Sequence, residues 1–181
     1  HVLDRVMTPP ASCVRNADCQ GDRVCNLGLG FCMERPEPGT CDDPFVLDAI
    51  GVVQGSTAAE QADAQVYNYA RGTCGGRDGF EHVYRFAPQL EDGEIQQFCL
   101  NTIGSDFDTV LYTRTAVCND GATEAGCNDD NRAVNGEAGS SALTLRASAG
   151  ETYYIFVDGW SDNDRGDYNL ELSVGSCEGG N

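Results

Sequence analysis

The chain has 181 residues, ten of them cysteine, with 29 acidic against 11 basic side chains and a net charge of -18. That balance argues against nucleic acid or an anionic membrane surface as a partner, since both would meet like charge. An even number of cysteines with no C-x-x-C pair excludes the usual zinc framework and reads as disulfides formed outside the cytoplasm. An extracellular or cell-surface location is therefore expected. Every basic side chain is an arginine, and no Asn-x-Ser/Thr acceptor occurs. No apolar run reaches membrane-spanning length. With no charged-then-apolar segment at the start, His1 is expected to be a mature N-terminus or the edge of a fragment.

Residues 1–12 read as an extended arm, in which Val2, Leu3, Val6 and Met7 form an apolar strip before the stiff Pro9-Pro10. Residues 13–32 are a cysteine-rich mini-module with Cys13, Cys19, Cys25 and Cys32 at near-even spacing. So short a piece cannot bury a core and must be cross-linked. Of three connectivities, the interleaved one, Cys13–Cys25 with Cys19–Cys32, makes the most compact knot. Residues 33–40 are linker chemistry, with two prolines, a glycine and charges.

From Cys41 to Val174 short β-type runs alternate with Gly/Asp/Asn turns, a spacing that suits a β-sandwich. Strands are expected near 50–55, 65–69, 80–87, 95–103, 108–114, 141–147, 152–158 and 168–174. Alternation is clearest in Ala142-Leu-Thr-Leu-Arg-Ala147 and Tyr168-Asn-Leu-Glu-Leu-Ser-Val174, each with one apolar face. No helical periodicity persists beyond about two turns. Residues 178–181 are a tail.

Several motifs in this second part occur in a recognisable order: Cys41-Asp-Asp-Pro-Phe45, Cys74-Gly-Gly76, His82-Val-Tyr-Arg-Phe86 and Gly104-Ser-Asp-Phe-Asp-Thr-Val-Leu-Tyr112. Cys127-Asn-Asp-Asp130, Ala149-Gly-Glu-Thr-Tyr-Tyr-Ile-Phe-Val-Asp-Gly159 and Gly166-Asp-Tyr-Asn-Leu170 complete the series. In this order they resemble the bacterial pre-peptidase C-terminal (PPC) domain, and with the cysteine-rich piece they resemble secreted myxobacterial proteins. The resemblance implies an all-β, jelly-roll β-sandwich over 41–177, non-catalytic, of a kind attached to secreted enzymes or surface proteins, some of which bind calcium. It also guides the remaining cystines: Cys41 with Cys74 and Cys118 with Cys127, leaving Cys99 with Cys177.

Hard divalent cations take six to eight oxygens, which Asp/Asn-rich loops supply. Asp106 and Asp108 differ by two, so in a strand both would face one side. Asn128, Asp129 and Asp130 would meet them if the loop after Cys118 folds back. Asp158, with Asp162 and Asp164, would add outer ligands or a second site. The competing reading is turn chemistry, in which Asp and Asn cap their own backbone. A copper site would need His1 and His82, but His82 lies in an alternating strand and is expected exposed on the sheet face. No G-x-S-x-G elbow or free thiol offers a nucleophile. Trp160, the only tryptophan, would cover the sandwich end, anchor an interface or stack on a sugar.

Together these features point to a non-catalytic secreted structural protein. It would be a calcium-stabilised subunit that joins copies of itself into a fibre-like extracellular assembly. The alternative is an accessory module that binds a surface polysaccharide or protein, released from a larger enzyme.

Overall fold

A computed structural model describes residues 12–19, 23–27, 29–33, 38–58, 70–76, 80–130 and 139–177. The arm residues Val2, Leu3, Val6 and Met7, the expected strand at 65–69 and half of the linker, 34–37, lie outside them. The chain divides into two compact units, His1–Glu37 and Pro38–Asn181.

In the first unit β1 (Val24–Asn26) and β2 (Phe31–Met33) form an antiparallel hairpin that sets Cys25 opposite Cys32. The Cys13 N–H reaches Gly30 O at 2.9 Å, which folds the preceding segment onto the hairpin. Disulfides join Cys13 to Cys25 and Cys19 to Cys32, and these sulfurs are themselves the core. Before the hairpin, Asp18 accepts the Val14 and Arg15 N–H groups and holds a 3-10 turn at Asn16–Asp18. These bonds lower its pKa. Val14, Leu27 and Leu29 are exposed, as expected where too few residues exist to cover them.

The second unit is a jelly-roll β-sandwich. Its strands are β3 (Phe45–Leu47), β4 (Gly51–Ser56), β5 (His82–Phe86), β6 (Ile95–Asn101), β7 (Thr109–Thr115), β8 (Glu124–Asp129), β9 (Ala142–Ser148), β10 (Tyr153–Gly159) and β11 (Asp167–Val174). One sheet runs β3-β5-β10-β7-β8 and the other β4-β11-β6-β9. All neighbours are antiparallel except β3 and β5.

The main core lies between the sheets, with Leu111, Ile155 and Val157 facing Leu100, Leu145 and Leu170. A second apolar layer lies on the outer face of the five-stranded sheet, where Val83, Val110, Tyr112 and Phe156 are covered by Ala70 and by cystine sulfur. The central strands β7 and β10 are thus buried on both faces, and β5 is so only in part, with Arg85 exposed, which erases the alternation that a one-sided strand displays.

This second layer also corrects two cystines. The structure joins Cys41 to Cys118 and Cys74 to Cys127, in place of Cys41–Cys74 and Cys118–Cys127. The segment expected to be a loop closed on itself contains β8, whose register sets Cys127 opposite Tyr112 on the outer face. There the segment carrying Cys74 crosses, while Cys118 lies beyond the end of β7. Cys99 is bonded to Cys177, so no cysteine is free. Besides the hairpin β1–β2, two strands of this unit were not anticipated: β8, whose Asp, Gly and Cys content resembles a loop, and β3, only three residues long.

Candidate functional site

Strand parity decides which acidic side chains meet. Asp158, Val110 and Asp129 stand side by side across β10, β7 and β8. Directly paired residues share a sheet face, so all three lie on the outer side with the second apolar layer. Asn128 pairs with Leu111 of the inter-sheet core and points the opposite way, where its Oδ1 accepts the Ala142 N–H at 2.8 Å. Asp106 is exposed before β7 and lines a separate groove with Gln54, Ser56 and Asn169. Of the residues expected around a cation, Asn128 thus faces the other side of β8 and Asp106 lines a separate groove, while Asp158, expected as an outer ligand or a second site, stands beside Glu81.

Asp108, Asp129 and Asp130 do gather, at the end of the five-stranded sheet, and Asp164 joins them. Burial and the charges of Asp130 and Asp164 raise the Asp108 pKa, and its Oδ1 is buried without a hydrogen-bond partner. Burial, with Asp108 and Asp130 adding repulsion, pushes Asp129 up to about 6. Asp130 takes a left-handed backbone and its Oδ1 accepts the Gly139 N–H at 2.8 Å. An orphaned carboxylate oxygen among like charges suits a cation. Yet among the described residues no three carboxylates bring ligand atoms within 4.8 Å of one another; only Cys13, Cys19 and Cys32 do, and those are disulfide-bonded.

A second acidic group is buried. Asp158 is fully enclosed, with Oδ1 accepting the Gly159 N–H at 2.8 Å and Oδ2 unpartnered. Burial, then the Glu81 charge, pushes it up to about 9. Glu81 accepts the Tyr112 hydroxyl at 2.7 Å, and burial outweighs that bond to bring it to about 7. Arg114, also buried, lies 4.8 Å from the Phe156 ring centroid and donates to Cys118 O at 2.7 Å and Arg71 O at 3.2 Å. Gly76 closes the cover from above, where a side chain would collide with Asp158 Oδ2. Sequence reasoning missed Glu81, Tyr112 and Arg114. Their signal was an arginine at the end of an otherwise apolar strand, which needs buried partners.

His82 is half-buried rather than exposed, because it pairs with Val157 and so faces the inter-sheet core. Its Nδ1 lies 2.7 Å from the Tyr168 hydroxyl, and burial lowers its pKa.

Trp160 is 47% exposed on one wall of a polar groove of about 920 Å³, with Arg71, Thr73, Asn119 and Glu124. No helix among the described residues is long and apolar enough to cross a membrane. No family model matches this chain, and no curated protein matches it. Among solved structures, the pre-peptidase C-terminal domain of a collagenase from Bacillus anthracis is similar to it, at 13% identity and a TM-score of 0.43, over 78% of this chain and 100% of that one.

Proposed function

We propose that this chain is a non-catalytic extracellular structural module that joins other copies of itself at a free sheet edge. The observation that carries this reading is β4. It ends the four-stranded sheet, and among the described residues nothing pairs with its outer edge. Natural edges are blunted by charge, proline or a bulge. Gly51-Val-Val-Gln-Gly-Ser56 has no charge and no proline, its pairing with β11 is regular, and Val52 and the adjacent Ile50 are exposed. The opposite side of the sandwich is drawn together by the Asn128–Ala142 bond between β8 and β9. A strand from another copy, with the apolar arm at 1–12 as the donor, would satisfy the edge. A divalent ion such as calcium, held by Asp108 and Asp129 with Asp130, would neutralise the acids at the sandwich end and stabilise it. Sedimentation of the full chain, a Val52→Lys variant and a chain lacking residues 1–12 is the test. The full chain should self-associate and both variants should not; monomers throughout at high concentration with calcium would remove the assembly.

A second reading, an accessory binding module, is favoured by a different observation, the groove at Trp160.

A further inference from the structure

Two of the chain segments that build the groove at Trp160 are each tied down by a cross-link. Cys74–Cys127 holds the wall at Arg71–Gly75, and Cys41–Cys118 holds the wall at Asn119–Gly121. Glu124 adds a clamp, with one carboxylate oxygen accepting the Thr73 N–H at 3.0 Å and the other the Thr73 hydroxyl. A groove fixed in this way loses little freedom when it is occupied, so its binding energy is not spent on ordering loops.

The indole is likewise placed rather than loose. Its main-chain N–H donates to Asp108 O at 3.0 Å, and its six-membered ring lies against Gly75, where a Cβ would approach Cε3 and Cζ3 to 3.0 Å. The positive-φ glycines do not include Gly75. The backbone there would accept a side chain, and it is the approach of the ring and of Val110 that leaves no room for one.

The chemistry of the walls selects the occupant. Trp160 is the only aromatic side chain lining the groove among the described residues, and around it stand two arginines, Arg71 and the buried Arg114, with Glu124, an asparagine, a threonine and glycines. A peptide that binds through apolar anchors would find no pocket for a second one. A polyanion would approach a chain of net charge -18. A neutral sugar has what this surface complements: a C–H face to lie on the indole, and hydroxyls that both donate and accept toward Asn119 and Arg71. The groove is open to solvent rather than enclosed, which leaves room for a ligand that extends beyond it.

We infer that the groove between residues 71–75 and 119–124 binds a neutral polysaccharide, with Trp160 as its stacking platform. This rests on the binding-module reading and names its ligand class.

Because Trp160 is the only tryptophan, its emission, excited at the red edge where the tyrosines do not absorb, reports on the site alone. The full chain is titrated with hexasaccharides of β-1,4-glucose, β-1,3-glucose, β-1,4-mannose and N-acetylglucosamine, with alginate and hyaluronan as anionic comparators. At least one neutral sugar should change the emission saturably. Binding followed by calorimetry should weaken about tenfold in Trp160→Ala, the size expected for loss of one aromatic stack, and less in Trp160→Phe. The melting temperature of Trp160→Ala should stay near that of the parent, because the ring is half-exposed. Gly75→Ala, which displaces the ring without removing it, should shift the free emission and weaken binding. No response from any neutral sugar, undiminished affinity in Trp160→Ala, or binding confined to the anionic polymers would each overturn the inference. A blot against extracellular proteins separates the two levels of failure. Retention of a protein that depends on Trp160 overturns the saccharide and leaves the binding module standing, whereas retention of neither removes both.

Discussion

Two acidic groups share the outer face of the five-stranded sheet, and they differ chiefly in cover. Asp108, Asp129 and Asp130 lie at the strand ends, where water still reaches them. Glu81 and Asp158 lie beneath residues 70–76, closed in by Gly76 and floored by Tyr112 and Phe156. Asp108 and Asp129 in the open group, like Glu81 and Asp158 in the buried one, have raised pKa values with burial as the first cause, and the groups differ in what adds to it. In the open group repulsion among neighbours adds to partial burial, so a cation could relieve it. In the buried group desolvation dominates, and the cheapest relief is for Asp158 to keep its proton. Carboxylate density in the sequence is similar in the two places, so solvent access sets what each can do.

The largest expected effect tests the cover itself. Cys74 and Cys127 are 53 residues apart, and removing their bond costs about 4 kcal/mol in the chain-entropy model. A Cys74→Ser, Cys127→Ser double variant should show a strongly lowered melting temperature. Its stability should also depend less on pH above neutrality, as water reaches Asp158. A variant as stable as the parent would mean that the cross-link is not what keeps these acids dry.

Next in size is the open group. If an ion binds there, saturating calcium at a hundredfold over Kd stabilises the fold by about 2.7 kcal/mol, and chelation should lower the calorimetric melting temperature accordingly. Asp129→Ala should lose that difference. Asn128→Ala should keep it, because Asn128 faces the other side of β8. Equal melting with and without chelator would reduce the group to turn chemistry.

The third concerns the sign of the pH dependence. Folded Asp158 holds its proton up to about 9, whereas in the unfolded chain it would release it near the ordinary carboxylate value of about 3.9. Between those values the folded state binds more protons, so stability falls as pH rises through the window. Glu81, pushed up to about 7, adds the same sign over the lower part. Thermal melts from pH 5 to 9 should show a steady loss that Asp158→Asn flattens above pH 7. A rise in stability over that range would mean that Asp158 is ionised and paired.

Much of the fold was legible because sandwich strands that face water on one side advertise themselves. β9 and β11 have alternating burial and alternating residues, and both were located within a residue or so. β8 was not legible: it is an edge strand with no fully buried residue, and its Asp, Asn and Gly are the residues of turns. That one omission carried through the candidate site. Taken as a loop, 124–130 could aim every oxygen at one ion; as a strand, it must send Asn128 and Asp129 to opposite faces. The two cystines that the resemblance guided, Cys41–Cys74 and Cys118–Cys127, failed at the same strand, because β8 offers Cys127 to the segment that crosses its face.

Composition and local pattern by themselves determined the all-β class, the disulfide-rich character of the chain, the cross-linked character of 13–32 and the concentration of acids around 106–130. Those properties depend on residue type and on neighbours within a few positions, so they can be read along the chain. Only the tertiary structure decided that Cys41 meets Cys118 and Cys74 meets Cys127, that Asp158 joins Glu81 rather than Asp108, and that Trp160 stands over a groove. Each of these joins segments tens of residues apart, and strand order and register, not spacing in the sequence, bring such segments together. A shift of one residue in the β7–β8 register would exchange the faces of Asn128 and Asp129 and leave the composition unchanged.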